Sequence, residues 1–153
     1  MILAVCTDDD NGTLHVGQAQ SAANPQVYGA CHAVFATRVP ALGVSENLFV
    51  IAHGAAVGDD GGPVIGDEHH DFWVNPADLW NNAENIFPAG YYGNVYISAC
   101  ESADTPNGTC SFTELFSSVL RHHRPNAGTV YGQHGAVHGN IPLPTDQSWV
   151  PAV

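Results

Sequence analysis

The sequence predicts an α/β fold, a three-layer sandwich in which a mainly parallel sheet is flanked by helices. Three observations carry that expectation. Two short apolar runs, Leu48-Phe49-Val50-Ile51-Ala52 and Val95-Tyr96-Ile97-Ser98-Ala99, have the length and content of strands buried on both faces. Segments with helical period and helical caps alternate with them. The 153 residues are 44% hydrophobic, enough for a single domain over residues 1–153 with its own core.

Taken in order, residues 2–7 read as a first strand, ended by the turn signal Asp8-Asp9-Asp10-Asn11-Gly12. Residues 13–16 read as a short returning strand. Asn24-Pro25 is a cap followed by a proline at the first helical position. The helix expected from there has Val27, Tyr28, Cys31, Val34 and Phe35 on its apolar face. The apolar run at 48–52 ends at His53-Gly54, and a Gly/Asp-rich loop at 58–62 leads to a hairpin around Val64-Ile65-Gly66-Asp67.

Asn75-Pro76-Ala77-Asp78 opens a second helix whose buried face is Leu79, Trp80, Ala83, Ile86 and Phe87; Pro88 and Gly90 stop it. The strand at 94–99 ends at Cys100. Ser111 and Glu114 form a capping box ahead of the clearest helical repeat in the chain: Phe112, Leu115, Phe116, Val119 and Leu120. Arg121, His122, His123 and Arg124 then place positive charge where the helix dipole favours it. Thr129-Val130-Tyr131 is the last expected strand. The tail over 141–153, with Pro142, Pro144 and Pro151, reads as extended or loosely packed.

The formal net charge is −12, and the basic residues are three arginines with no lysine. Without a basic patch the chain has little with which to neutralise phosphates or an anionic bilayer, so nucleic acid and membrane surfaces are not expected partners. Its field attracts cationic ligands instead, including peptides carrying Arg or Lys. The N-terminal run has no basic region before it and is not expected to be a signal peptide. Two readings of the missing lysine stand: coding bias, and selection against ubiquitination in a chain delivered into a host cell. Cys6, Cys31, Cys100 and Cys110 form no C-x-x-C pair. They are expected to be reduced thiols in a cytoplasmic setting, although a Cys100–Cys110 bridge would silence Cys100.

Open parallel sheets bind ligands outside the carboxyl ends of their strands. Here those ends deliver Thr7 and Asp8, then His53-Gly54, then Cys100-Glu101-Ser102, then Gln133 and His134. A histidine and a cysteine at neighbouring strand ends suffice for acyl transfer. The thiolate is a good nucleophile near neutral pH, and the imidazole handles the proton. The backbone amides of Gly54 and Cys100 are candidate donors to the oxyanion. Acidic side chains near this edge, Asp8, Asp59 and Glu101, together with Gln133 and His134, are candidate substrate contacts.

The strand ending in Ala-His53-Gly54 and the strand ending in Ala-Cys100-Glu101-Ser102-Ala103 resemble the paired signature of caspase-like cysteine peptidases. The wording is nearest to the CHAT-type branch. In sequence 47 residues separate the two (53 to 100), against roughly 50 in caspases. The resemblance implies a caspase–haemoglobinase fold over about residues 2–131 and a cysteine endopeptidase or autoprocessing activity on polypeptides. In that reading Cys100 is the nucleophile, His53 the acid–base, and no cofactor takes part. Specificity does not carry over, since Ser98 stands where caspases have glutamine. With few cations for an acidic side chain, a basic or small apolar P1 residue is expected.

Two rival readings remain at the level of sequence. One is an inactive interaction module on the same fold. The other is a metal-dependent hydrolase using some of the nine histidines, with His69-His70-Asp71 the best cluster. His122 and His123, adjacent on a helix, point about 100° apart and chelate poorly. His134 and His138 are either cleft-lining or simply exposed.

Overall fold

A computed structural model describes residues 1–6, 11–34, 38–67, 72–137 and 139–153. The elements are β1 (Ile2–Ala4), α1 (Asn11–Ala23), α2 (Pro25–Tyr28), β2 (Cys31–Ala33), β3 (Leu48–Ile51), β4 (His53–Ala55), β5 (Val64–Gly66), β6 (Trp73–Val74), α3 (Pro76–Ala83), β7 (Val95–Ser98), α4 (Phe112–His123), β8 (Val130–Gly132) and β9 (Val150–Pro151). A 3₁₀ turn, Glu84–Ile86, continues α3, and another, Pro106–Gly108, precedes α4.

The main sheet has six strands in the order β2-β1-β3-β7-β8-β9. The first five are mutually parallel; β9 closes the edge antiparallel to β8. Side chains alternate across it as a pleated sheet requires. Leu3, Val5, Leu48, Val50, Val95 and Ile97 face one core with Leu79, Trp80, Phe87, Phe112, Phe116 and Leu120 from the α3 and α4 side. Ile2, Ala4, Phe49, Ile51 and Tyr96 face the other, against Leu14, Val27 and Tyr28 from α1 and α2 and Ile141 and Trp149 from the tail. The fold is therefore α/β, with a mainly parallel sheet flanked by helices on both faces.

Register turns the second core into a ladder of rings. Phe49 pairs with Tyr96, and Tyr96 with Tyr131. Their rings stack at 5.0 Å and 4.9 Å, Tyr28 packs edge-on to Phe49 at 5.0 Å, and Trp149 edge-on to Tyr96 at 5.1 Å. Aromatic pairs of this kind contribute about 0.5–1.5 kcal/mol each beyond their burial.

The capping signals of α3 and α4 are realised, whereas Asn24 stands at the N-cap of α2 without a side-chain cap bond. Asn75 Oδ1 accepts from the Asp78 amide at 2.9 Å. Ser111 Oγ accepts from the Glu114 amide at 3.2 Å, while Glu114 Oε2 accepts from the Ser111 amide at 2.7 Å. At the other end of α4, Arg124 donates from Nε and Nη2 to the Phe87 carbonyl and lies over the Trp80 ring.

Three expectations need correction. Residues 13–16 belong to α1 and form no strand. The buried residues of the helix are Thr13, Gly17 and Gln20, which are small or polar, and only the half-buried Leu14 and Val16 add apolar contacts, so the apolar period is weak. The helix expected from Asn24 through Phe35 stops at Tyr28, because Gly29 takes a left-handed φ of 64° and Cys31-His32-Ala33 pair with β1 as the edge strand. Phe35 lies outside the described residues. The tail, lastly, is packed. Ile141, Trp149 and Ala152 are buried, β9 joins the sheet, and Gln20 bonds both backbone groups of Ile141.

Between β3 and α3 the chain inserts a second sheet, antiparallel, in the order β4-β5-β6. This is the hairpin region expected near Val64, enlarged by a strand that begins at His53.

Candidate active site

The parallel pairing of β3 with β7 ends at Ile51 opposite Ser98, and the Ala52 amide donates to the Ser98 carbonyl at 3.2 Å. His53 and Cys100 each lie two residues beyond that last pair. Both are half-buried and both line one cleft of roughly 240 Å³, with Gly12, Thr13, Val16, Ile51, Ala52, Ser98, Val137 and Gly139. His53 is also the first residue of β4, paired with Gly66, so it sits where the chain leaves the main sheet.

Cys100 lies at the start of a tight turn. The Ser102 amide donates to Ala99 O at 3.3 Å and the Asp104 amide to Glu101 O at 3.0 Å. Glu101 has a φ of 56°, which side-chain-bearing residues adopt at a cost of about 1 kcal/mol or more. Bonds on two sides hold it there. Its amide donates to Gly135 O at 2.7 Å, and its Oε2 accepts from the Ala56 amide at 2.9 Å. Among the described residues the amides of Glu101, Ser102, Ala103 and Asp104 all find main-chain acceptors, and that of Cys100 finds none.

The Cys100 sulfur is held by the main chain of Val137. Sγ donates to the Val137 carbonyl at 3.6 Å and accepts from the Val137 amide at 3.3 Å. All four cysteines are free thiols, so no Cys100–Cys110 bridge forms; Cys110 is exposed and Cys6 buried. Burial pushes the Cys31 thiol above its ordinary value, which keeps it protonated.

Below the turn runs a buried polar network. Gln133 Oε1 accepts from Ser98 Oγ at 3.1 Å. Ser102 Oγ accepts from the Gln133 amide at 3.0 Å and donates to Ile97 O at 3.1 Å. The Thr113 hydroxyl donates to Ser102 O at 3.2 Å. The network ties together the strand ends that carry Cys100 and His134.

The structure thus brings His53, Gly54 and Cys100 together, with Glu101 directly after the thiol and aimed at Ala56. Gln133 is nearby, but its side chain is turned into the buried network. His134 is exposed, and its Nδ1 bonds Asp104 Oδ1 at 2.6 Å. Asp59 lies apart, on a separate depression of roughly 300 Å³ with Asp60, Trp73 and Asp78. Asp8 lies outside the described residues, as do His69, His70, Asp71 and His138. Among the described residues no three His, Cys, Asp or Glu side chains converge as metal ligands. A larger cavity of roughly 860 Å³, lined by Leu3, Arg38, Asn82 and Asn85 among others, holds neither a nucleophile nor a base.

Two residues at the site, Asp104 and Val137, were not singled out by the sequence. Asp104 carries no spacing signal, and Val137 acts through its main chain, which any residue type supplies. No family model matches the chain, and the searches of curated proteins and of solved structures found no match. Among the described residues no helix is long and apolar enough to cross a membrane.

Proposed function

We propose that the chain is a caspase-like cysteine peptidase, an endopeptidase or autoprocessing domain, in which Cys100 and His53 form the catalytic dyad. The observation that supports this most is one shared cleft: His53 and the half-buried Cys100, each two residues past the last paired residues of β3 and β7, both line it.

In this reading the Cys100 thiolate adds to the scissile carbonyl carbon. The resulting oxyanion takes hydrogen bonds from the Cys100 amide and the Gly54 amide. The C–N bond then breaks, and His53 gives its proton to the leaving amine. Water attacks the thioester as His53 accepts a proton, releasing the acid and the free thiol. The amide of Cys100 without a main-chain acceptor fits the oxyanion role. The net charge of −12 and the absence of Arg38, Arg121 and Arg124 from the cleft lining favour a basic or small apolar P1 residue over an acidic one.

The test is cleavage of a fluorogenic peptide library varied at P1, comparing wild type with Cys100→Ala. Thiol-dependent cleavage that is lost in the mutant supports the dyad. No cleavage by the folded protein, with reductant present and Cys100 open to a thiol reagent, removes the peptidase reading and leaves the interaction module. Cleavage abolished by EDTA but unchanged in Cys100→Ala points to the metal-dependent hydrolase.

A further inference from the structure

We infer that residues 133–137 form an internal cover over the Cys100 thiol, clasped by the carboxylate of Asp104, which must lift before any reagent or acyl group reaches Sγ. The consequence for catalysis rests on the peptidase reading above; the cover itself does not.

The segment leaves β8 and returns across the Cys100 turn. It is tied to that turn at successive residues. The Ala103 amide donates to Gln133 O at 3.0 Å, and the Glu101 amide donates to Gly135 O at 2.7 Å. Asp104 then grips from below with both oxygens: Oδ1 to His134 Nδ1 at 2.6 Å, and Oδ2 to the Gly135 amide at 3.0 Å. Gly135 has a φ of 63° with open space where a side chain would be, so the left-handed bend alone calls for glycine there. That bend carries the chain on to Val137, which lines the cleft beside His53 and Cys100.

Val137 shows what the segment does. Among the described residues its amide and its carbonyl make hydrogen bonds only to Cys100 Sγ. A main-chain unit that spends both polar groups on a thiol occupies the approach that an incoming carbonyl needs. Its hold is releasable. His134 is 63% exposed and Asp104 30% exposed, and a hydrogen-bonded pair open to water is weak enough to open and reclose. The natural opener is a substrate or partner that takes up Asp104 or displaces Val137.

The experiment is iodoacetamide labelling of the full chain under reducing conditions, resolved cysteine by cysteine by peptide mapping. Exposed Cys110 serves as the internal reference. In wild type, Cys100 should label at least tenfold more slowly than Cys110. In Asp104→Ala, with the fold checked by circular dichroism, Cys100 labelling should rise at least fivefold with Cys110 unchanged. In His134→Ala, which breaks one of the two grips, it should rise about twofold. Equal rates for Cys100 and Cys110 in wild type overturn the cover, and so does an unchanged Cys100 rate in folded Asp104→Ala. If Asp104→Ala does not fold, His134→Ala decides by the same comparison. Faster labelling without peptide cleavage in any variant keeps the cover and removes the peptidase. Cleavage with a freely labelled wild-type Cys100 does the reverse.

Discussion

Gly54 packs so tightly against Cys100 that a β-carbon on residue 54 would overlap the Cys100 carbonyl oxygen, and would lie 3.2 Å from its amide nitrogen and 3.1 Å from the Ala99 β-carbon. The glycine after the histidine is thus explained by close approach of two backbones. Gly54→Ala must push β4 away from the Cys100 turn. Overpacking of this kind costs about 1–3 kcal/mol, and a shift near 1 Å in a catalytic pair costs about 100-fold in rate. Urea unfolding should show the destabilisation, and, in the proposed peptidase reading, thiol-dependent cleavage should fall at least 100-fold while the protein stays folded. A variant as active as wild type would separate residue 54 from the site.

Glu101 offers a second test, because two opposing effects act on one residue. Its φ of 56° is unfavourable for any side chain, whereas its carboxylate bond to the Ala56 amide ties β4 to the Cys100 turn. Glutamine keeps an acceptor, glycine loses it but relieves the backbone, and alanine loses it without relief. The expected order of stability is Glu101→Gln, then Glu101→Gly, then Glu101→Ala. The gap between the last two should be about 1 kcal/mol, the cost of the left-handed region for a residue with a β-carbon. Denaturant midpoints of the three variants measure it. An alanine variant at least as stable as the glycine variant would contradict the assigned backbone conformation.

Tyr91 sets an alkaline limit. It is fully buried, and its hydroxyl is shared between the Glu46 carbonyl at 2.9 Å and the Asn94 carbonyl at 3.2 Å. Burial first, then the charge of Glu46, hold its pKa well above the ordinary value of 10. The folded state therefore keeps the proton while the unfolded chain gives it up. The stabilisation is fully present below about pH 10 and fades as pH rises towards the folded value. Tyr91→Phe should cost about 1 kcal/mol at pH 7 from the lost hydrogen bond, and the difference in melting temperature should narrow between pH 9 and 11. Tyr28 and Tyr96 are shifted the same way, by burial first, so the alkaline slope should diminish without vanishing. A constant difference across that range would show that Tyr91 ionises as it does in the unfolded chain.

The strand ends were legible in sequence because a parallel strand buried on both faces writes its own length. Residues 48–52 are apolar, residues 95–99 are apolar but for Ser98, and the residue that follows each run is His53 or Cys100. α3 and α4 were legible because their caps and their apolar faces agree; Ser111 and Glu114 do in the structure what their spacing promises. α1 was not legible. Asn11-Gly12 reads as a turn, and the buried residues of the helix are Thr13, Gly17 and Gln20, whose fit comes from small size and from hydrogen bonds, with Leu14 and Val16 only half-buried beside them. β2 was hidden for a related reason. Cys31, His32 and Ala33 have no strand preference of their own, and they become a strand because β1 offers an open edge. Gln133 shows the same limit at the site, since nothing in its type or position says whether its amide meets a ligand or Ser98.

The missed helix supplies a last prediction, in which propensity and packing disagree in sign. In an exposed helix interior Gly→Ala stabilises by about 1 kcal/mol. At Gly17 the new β-carbon would stand 2.9 Å from Cys31 Sγ, 3.3 Å from Ile2 Cγ2 and 3.7 Å from Ile51 Cγ2. Ile2 is fully buried in the central sheet and has nowhere to go, so the collision must move α1 or the edge strand. Packing should win, and Gly17→Ala should destabilise by about 1–2 kcal/mol. If Cys31 is the obstacle, Cys31→Ala should relieve it, and the double variant should be more stable than the sum of the single changes predicts by about 1 kcal/mol. Urea unfolding of the four chains gives that coupling directly. Additive effects would mean that Ile2 alone resists the new methyl. A Gly17→Ala variant more stable than wild type would mean that α1 stands farther from the sheet than this packing requires.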